Sequence, residues 1–146
     1  MARYLFVHQN FPGQFPHVTR ALAERGQDVG ALGEAKRMKQ RPQPHPGVRV
    51  LGYPEPKAAG RHTHHYLRGL EAHVRRGQEV FRLARQLAAH GLRPDVVVAH
   101  PGWGEALFLR DVFPAARHIQ YLEFFYRAAG ADVGFDPEFP ATVDDQ

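Results

Sequence analysis

Four apolar residues, Val96-Val97-Val98-Ala99, stand between Pro94-Asp95 and His100-Pro101-Gly102-Trp103-Gly104. A run this short, without polar alternation and closed on both sides by turn formers, predicts a strand with both faces covered. Strands of that kind belong to parallel sheets with helices above and below, so this tetrapeptide points the chain toward an α/β design. With 146 residues, 43% of them hydrophobic, one such domain is expected and a second has no room beside it.

The rest of the chain repeats the pattern. Arg3–His8 is an apolar run that stops at Asn10-Phe11-Pro12-Gly13 and reads as a first strand. Phe15–Arg25 follows with Phe15, Val18, Ala21 and Leu22 at helical spacing and Gly26 as the C-cap. Asp28–Leu32, closed by Gly33, is a second strand and completes a right-handed βαβ unit. Glu34–Gly47 contains Pro42, Pro44 and Pro46 and reads as a surface loop. Val48–Tyr53 is a third strand, and Pro54–Thr63 another loop.

His64–His90 is the longest periodic segment, with Tyr66, Leu70, Val74, Phe81, Ala84 and Ala88 on one stripe. Arg68, Arg75, Arg76, Arg82 and Arg85 fall mostly off it and read as a solvated face. Gly69 and Gly77 each weaken the helix by about 1 kcal/mol relative to alanine, which leaves room for a bend near Gly77. Glu105–Val112 reads as a short helix, Arg117–Tyr121 as a fifth strand, and Phe124–Gln146 shows neither period. The expected fold is a Rossmann-like doubly wound parallel sheet in three layers, of about five or more strands in the order 3-2-1-4-5.

In such a sheet ligands bind at the carboxyl ends of the strands, where the order reverses, here between strands one and four. The turns after strands one, four and five carry the densest unusual residues. In Asn10-Phe11-Pro12-Gly13-Gln14, a glycine before a helix lets backbone N–H groups approach an anion, and an ordinary type II turn at Pro12-Gly13 explains it equally well. No acidic residue stands convincingly at the end of strand two for a ribose, which weakens a dinucleotide reading.

In His100-Pro101-Gly102-Trp103-Gly104-Glu105, a histidine at a strand end can bond a sugar hydroxyl or a phosphate, or serve as a base. Gly102 and Gly104 leave room for close approach, Trp103 offers a face to a sugar, and Glu105 can cap the next helix. Function is favoured there over folding alone. Glu123 and Tyr126, at the end of strand five, suit an acceptor or a domain contact, or Glu123 is a rim carboxylate paired with Arg127. Leu122, Phe124 and Phe125 read as core or interface. Arg61-His62-Thr63-His64-His65 invites a metal, but no carboxylate nearby completes a ligand set, and solvated loop histidines are the better reading.

With no cysteine, disulfides and thiolate chemistry are excluded. The apolar run at the N-terminus is too short for a signal peptide or a span, so a cytoplasmic protein is expected. The net charge of +4 suits nucleic acid, anionic lipid or phosphorylated ligands, yet a coding preference for arginine produces the same balance, and the charge alone decides nothing.

The stretches "RYLFVHQNFPGQFPHVTRALAERGQDVGALG", "HHYLRGLEAHVRRGQEV" and "RPDVVVAHPGWGEALFLRDVFPAARHIQYLEFFYRAAGADVGFDPEF" resemble the N-terminal domain of GT-B glycosyltransferases, family 4, of bacterial polysaccharide assembly. "HPGWGE" and the run into "GADVGFDPEFP" are the more specific parts. The resemblance implies retaining transfer of a sugar from a nucleotide-diphosphate donor to a saccharide or lipid-linked acceptor. It makes residues 1–146 the acceptor-side half of the fold, with no metal or cofactor required. Asn10, Gly13 and Gln14 then face the donor phosphates, and His100 the donor sugar. Trp103, Gly104, Glu105, Glu123 and Tyr126 remain for sugar or acceptor.

The family's paired glycines after strand one are reduced here to Pro12-Gly13. Its donor-binding residues lie in a C-terminal domain beyond these residues, so the chain alone is expected to be inactive. The alternative is a non-catalytic module that binds a phosphate, a nucleotide or a protein through the same edge. No nucleic acid partner is expected. A membrane surface, and a second copy meeting Phe135, Phe139 and Val143, are left open as partners.

Overall fold

The computed structural model describes residues 1–41, 44–123, 127, 133–140 and 142. Five strands form one all-parallel sheet: β1 (Arg3–Val7), β2 (Asp28–Glu34), β3 (Val48–Tyr53), β4 (Val96–Ala99) and β5 (Arg117–Gln120). Their order is β3-β2-β1-β4-β5, so the reversal falls between β1 and β4 as the pattern of apolar runs predicts. Helices α1 (Pro16–Glu24), α2 (Ala35–Met38), α3 (His65–Ala89) and α4 (Leu109–Val112) complete the described elements.

Strand alternation sorts the core into two layers. Leu5, Val7, Leu32, Tyr53, Val97 and Ala99 point to the face that packs against Val80 and Ala84 of α3 and Leu109 of α4. Phe6, Val29, Ala31 and Val48 point the other way, toward Phe11 and Phe15 before α1, with Leu22 and Met38 at its margin. Phe6 and Phe15 meet with ring centroids 5.3 Å apart. Each large side chain buried this way contributes roughly 2 kcal/mol.

Several boundaries differ from those the spacing predicts. β2 continues past Gly33 to Glu34, and the expected loop after it opens with the single turn α2. The segment expected to be helical from Glu105 is helical only over Leu109–Val112. Gly104 holds φ at +96°, and Leu107 N–H donates to Gly104 O in a turn that precedes the helix.

α3 runs unbroken through Gly77. A Cβ at that position would lie 2.8 Å from Gly104 O and 3.1 Å from the Phe108 ring, so the glycine allows the helix to approach the loop after β4. The stripe of α3 is buried at Gly77, Val80 and Ala84, but Tyr66 and Leu70 are 64% and 60% exposed. A helix of 25 residues spans about 37 Å and seven-residue β2, the longest strand, only about 23 Å, so part of the helix outruns the sheet. Phe135 and Phe139 are also exposed, while Phe124, Phe125 and Val143 lie outside the described residues.

Gly104 and Gly91 have nearly the same positive φ in different surroundings. A Cβ at Gly104 would stand 2.1 Å from His73 O, whereas nothing lies within 4 Å of one at Gly91, where φ is +91°. Gly91→Ala is therefore expected to cost about 1–2 kcal/mol and Gly104→Ala about 3 kcal/mol or more. Urea unfolding of the two variants checks the difference.

Candidate functional site

Because Val7 pairs with Ala99 in the parallel ladder, the residues that follow them emerge side by side at the carboxyl edge. Those residues are His8 and His100. Their backbones remain in the ladder, His8 N–H to Leu32 O and His100 N–H to Val7 O, both at 3.1 Å. The two rings lie 5.2 Å apart at 67°, and both side chains are buried.

Each ring is oriented by its own loop. His8 Nδ1 accepts the Asn10 N–H at 2.9 Å, and His100 Nδ1 accepts the Gly102 N–H at 3.2 Å. A nitrogen that accepts carries no hydrogen, which leaves Nε2 of each imidazole as the donor. His100 Nε2–H donates to Glu123 Oε2 at 2.9 Å, and the other oxygen of Glu123 accepts from the Gln14 amide. The bond from His100 holds the Glu123 carboxyl below the usual range. Burial, with His100 beside it, lowers His8 to about 4, so its ring is neutral near pH 7.

Glycines make space for both imidazoles. A Cβ at Gly13, where φ is +50°, would lie 2.7 Å from His8 Nδ1, and one at Gly102 would lie 2.7 Å from His100 Cε1. The turn before Gly13 closes through Gly13 N–H to Asn10 O, one residue earlier than a type II turn at Pro12-Gly13 requires. Beside it opens a cleft of about 460 Å³ bounded by His8, Asn10, Gly13, Gln14, Arg41 and His45. Asn10 Oδ1 is enclosed there without a hydrogen-bond partner among the described residues.

The sequence candidates therefore separate. Asn10, Gly13, Gln14, His100 and Glu123 come together. Trp103 instead contacts α3: it is 46% exposed, its ring lies 6.3 Å from that of His73, and its carbonyl accepts from Arg76. Gly104 is buried against α3, and its geometry serves packing. Glu105 is a correction: it is 0% exposed, and its Oε1 accepts the Gln9 N–H at 2.7 Å, so it is out of reach of a sugar or acceptor. Glu123 has His100 and Gln14 as its partners among the described residues rather than Arg127. Tyr126 lies outside the described residues.

His8 escapes a reading from spacing because it ends an apolar run, although His100 ends another in the same way. Glu34 escapes because Gly33 closes the second strand at Leu32 in the spacing; it is the acidic residue at the end of β2. It is buried, though, and bonded to Arg37 Nε at 3.0 Å. The rings of His64 and His65 stack at 4.4 Å, and no cluster of three or more His, Asp or Glu is arranged to hold a metal ion among the described residues. No described helix is long and apolar enough to cross a membrane.

Fold and edge together define the class: a Rossmann-like parallel α/β domain with a polar cleft at the reversal of strand order. The family model described as glycosyl transferase family 4 group matches residues 25–146. That is well over half of the chain, and the chain belongs to this family. The matched residues include His100, Trp103 and Glu123 but not the loop after β1. No curated protein matches the chain.

The depressed pKa of His8 gives stability a pH dependence. Below its ordinary value of 6.5 the unfolded chain takes a proton that folded His8 refuses until about 4. The contribution is complete above pH 6.5 and is lost as pH falls toward 4, by up to about 3 kcal/mol. His8→Asn keeps an acceptor for the Asn10 N–H but does not titrate, so its urea midpoint should fall less between about pH 7 and about pH 4. Equal declines would remove His8 as the source.

Proposed function

We propose that this domain forms the acceptor-side wall of a retaining glycosyltransferase, one that moves a hexose from a nucleotide-diphosphate donor to a saccharide or lipid-linked acceptor. The observation that carries the reading is the pair His8 and His100 at the switch of the sheet, coupled to Glu123 and Gln14, in a member of a glycosyltransferase family.

The chemistry suits a sugar. His100 Nε2–H is a donor already engaged with a carboxylate, and a sugar hydroxyl can take the place of that carboxylate or join the pair by donating to Glu123. Half-exposed Trp103 presents an apolar face on which the C–H side of a pyranose can stack. Gly13 and Gln14, with Arg41 and His45 across the cleft, suit the donor phosphates. Sugar-nucleotide binding by a second α/β half, as the resemblance implies, completes the cleft. The same reading puts the protein in the cytoplasm, peripheral to the inner membrane where the acceptor is lipid-linked.

The chain itself supplies the first test. Titration of the ¹⁵N-labelled protein with mono- and disaccharides should shift the signals of His100, Gly102 and Trp103, and Trp103→Ala should abolish the shifts. Shifts confined to other surfaces would overturn the reading. In a two-domain enzyme, His100→Ala is expected to lower transfer about 100-fold, far more than its loss of stability accounts for. The 146-residue chain is expected to transfer no sugar alone, and measurable turnover would refute the need for a second half.

A further inference from the structure

Burying an ionised side chain costs several kcal/mol unless partners compensate it. Behind the histidine edge, Glu34 at the end of β2 and Glu105 after β4 are buried, with largely buried Arg76 on α3 and buried Tyr53 close enough to feel all three charges. Arg76 Nη1 donates to Trp103 O at 3.0 Å, and its Nε lies 4.0 Å from Glu34 Oε2. Gly104 comes so close to His73 O that no side chain fits between. Glu105 then reaches across the edge to the Gln9 N–H, a contact spanning 96 positions of sequence. Three consecutive residues, 103–105, are thus fastened to α3 on one side and to the loop after β1 on the other.

We propose that Glu105 is a positioning residue for the two histidines: its carboxylate ties the loop after β4 to the loop after β1 and sets how His8 and His100 face one another. Gln9 is the residue directly after His8, and its N–H is fixed by Glu105 while the next N–H, of Asn10, holds the His8 ring. Without the tie, Gln9 keeps, among the described residues, only the bond from the Glu34 N–H to its carbonyl, and residues 103–105 lose their one direct hydrogen bond to the loop after β1. Burial raises the Glu105 carboxyl above its ordinary range, and Arg76 nearby opposes that rise. The relevance of the tie to sugar transfer rests on the function proposed above, whereas the tie itself does not.

Amide exchange and histidine ring spectra of the ¹⁵N-labelled chain test it. Glu105→Ala should speed exchange at Gln9 and Asn10 about ten-fold beyond any change at Leu5 and Val97, which lie deeper in the same strands. The ring signals of His8 and His100 should move with it. Glu105→Gln retains an oxygen for the Gln9 N–H and should restore both readouts. Equal acceleration throughout the sheet, with ring signals unmoved, would make Glu105 a general stabiliser and overturn the proposal. If Glu105→Ala does not fold, Glu105→Asp, whose carboxylate is withdrawn by one methylene, is read by the same criteria. Local changes at the edge in a chain that binds no saccharide would remove the proposed function and leave the tie standing.

Discussion

The parallel pairing of β1 with β4 is the constraint on which the site depends. Backbone hydrogen bonds hold Val7 opposite Ala99, and the next residue of each strand enters the same small volume at the carboxyl edge. A slip of one residue would turn the side chains of a strand to the opposite face. It would also separate His8 from His100. The apolar layers on both sides oppose that slip, since Leu5, Val7, Val97 and Ala99 fill one core and Phe6 the other. Burial of these side chains thus fixes the relative placement of two imidazoles outside the core.

Beyond the ladder, the edge is shaped by compact turns and charges. Glycines 13 and 102 lie against the two imidazoles, and Gly104 lets the β4 loop meet α3 without intervening side chains. Glu34 and Glu105 are fully buried and Arg76 partly so, and each is held by a specific partner: Glu34 by Arg37, Arg76 by Trp103 O, and Glu105 by the Gln9 N–H. Such an arrangement is poor economy for stability alone and suits an edge whose loops must be held in one geometry.

Elements with a dense local signal were legible in the chain. The apolar tetrapeptide of β4, the βαβ pattern at the N-terminus and the long stripe of α3 lead to the observed strand order. Asn10, Gly13, Gln14 and His100 were legible as an edge because they stand in the turns that follow two buried strands. Glu105 was legible as unusual but not in its role, because spacing within "HPGWGE" cannot reveal a bond to Gln9. Glu34 and Arg76 read as solvated charges, since charge in a polar loop or off an apolar stripe normally is. Tyr66 and Leu70 have the period of buried residues, but period says nothing of how far a helix outruns its sheet.

The sequence by itself determined the alternation of strands and helices, hence a parallel sheet, its switch point and the strand ends where a ligand can bind. These follow from short-range periodicity, turn formers and the handedness of βαβ crossovers, all local or nearly so. Only the tertiary structure decided that His8 joins His100, that Glu123 and Gln14 complete their network, and that Glu105 faces inward. Each of these contacts joins residues brought together by strand register and by the close approach of glycines to neighbouring side chains and helices. No spacing along the chain encodes them.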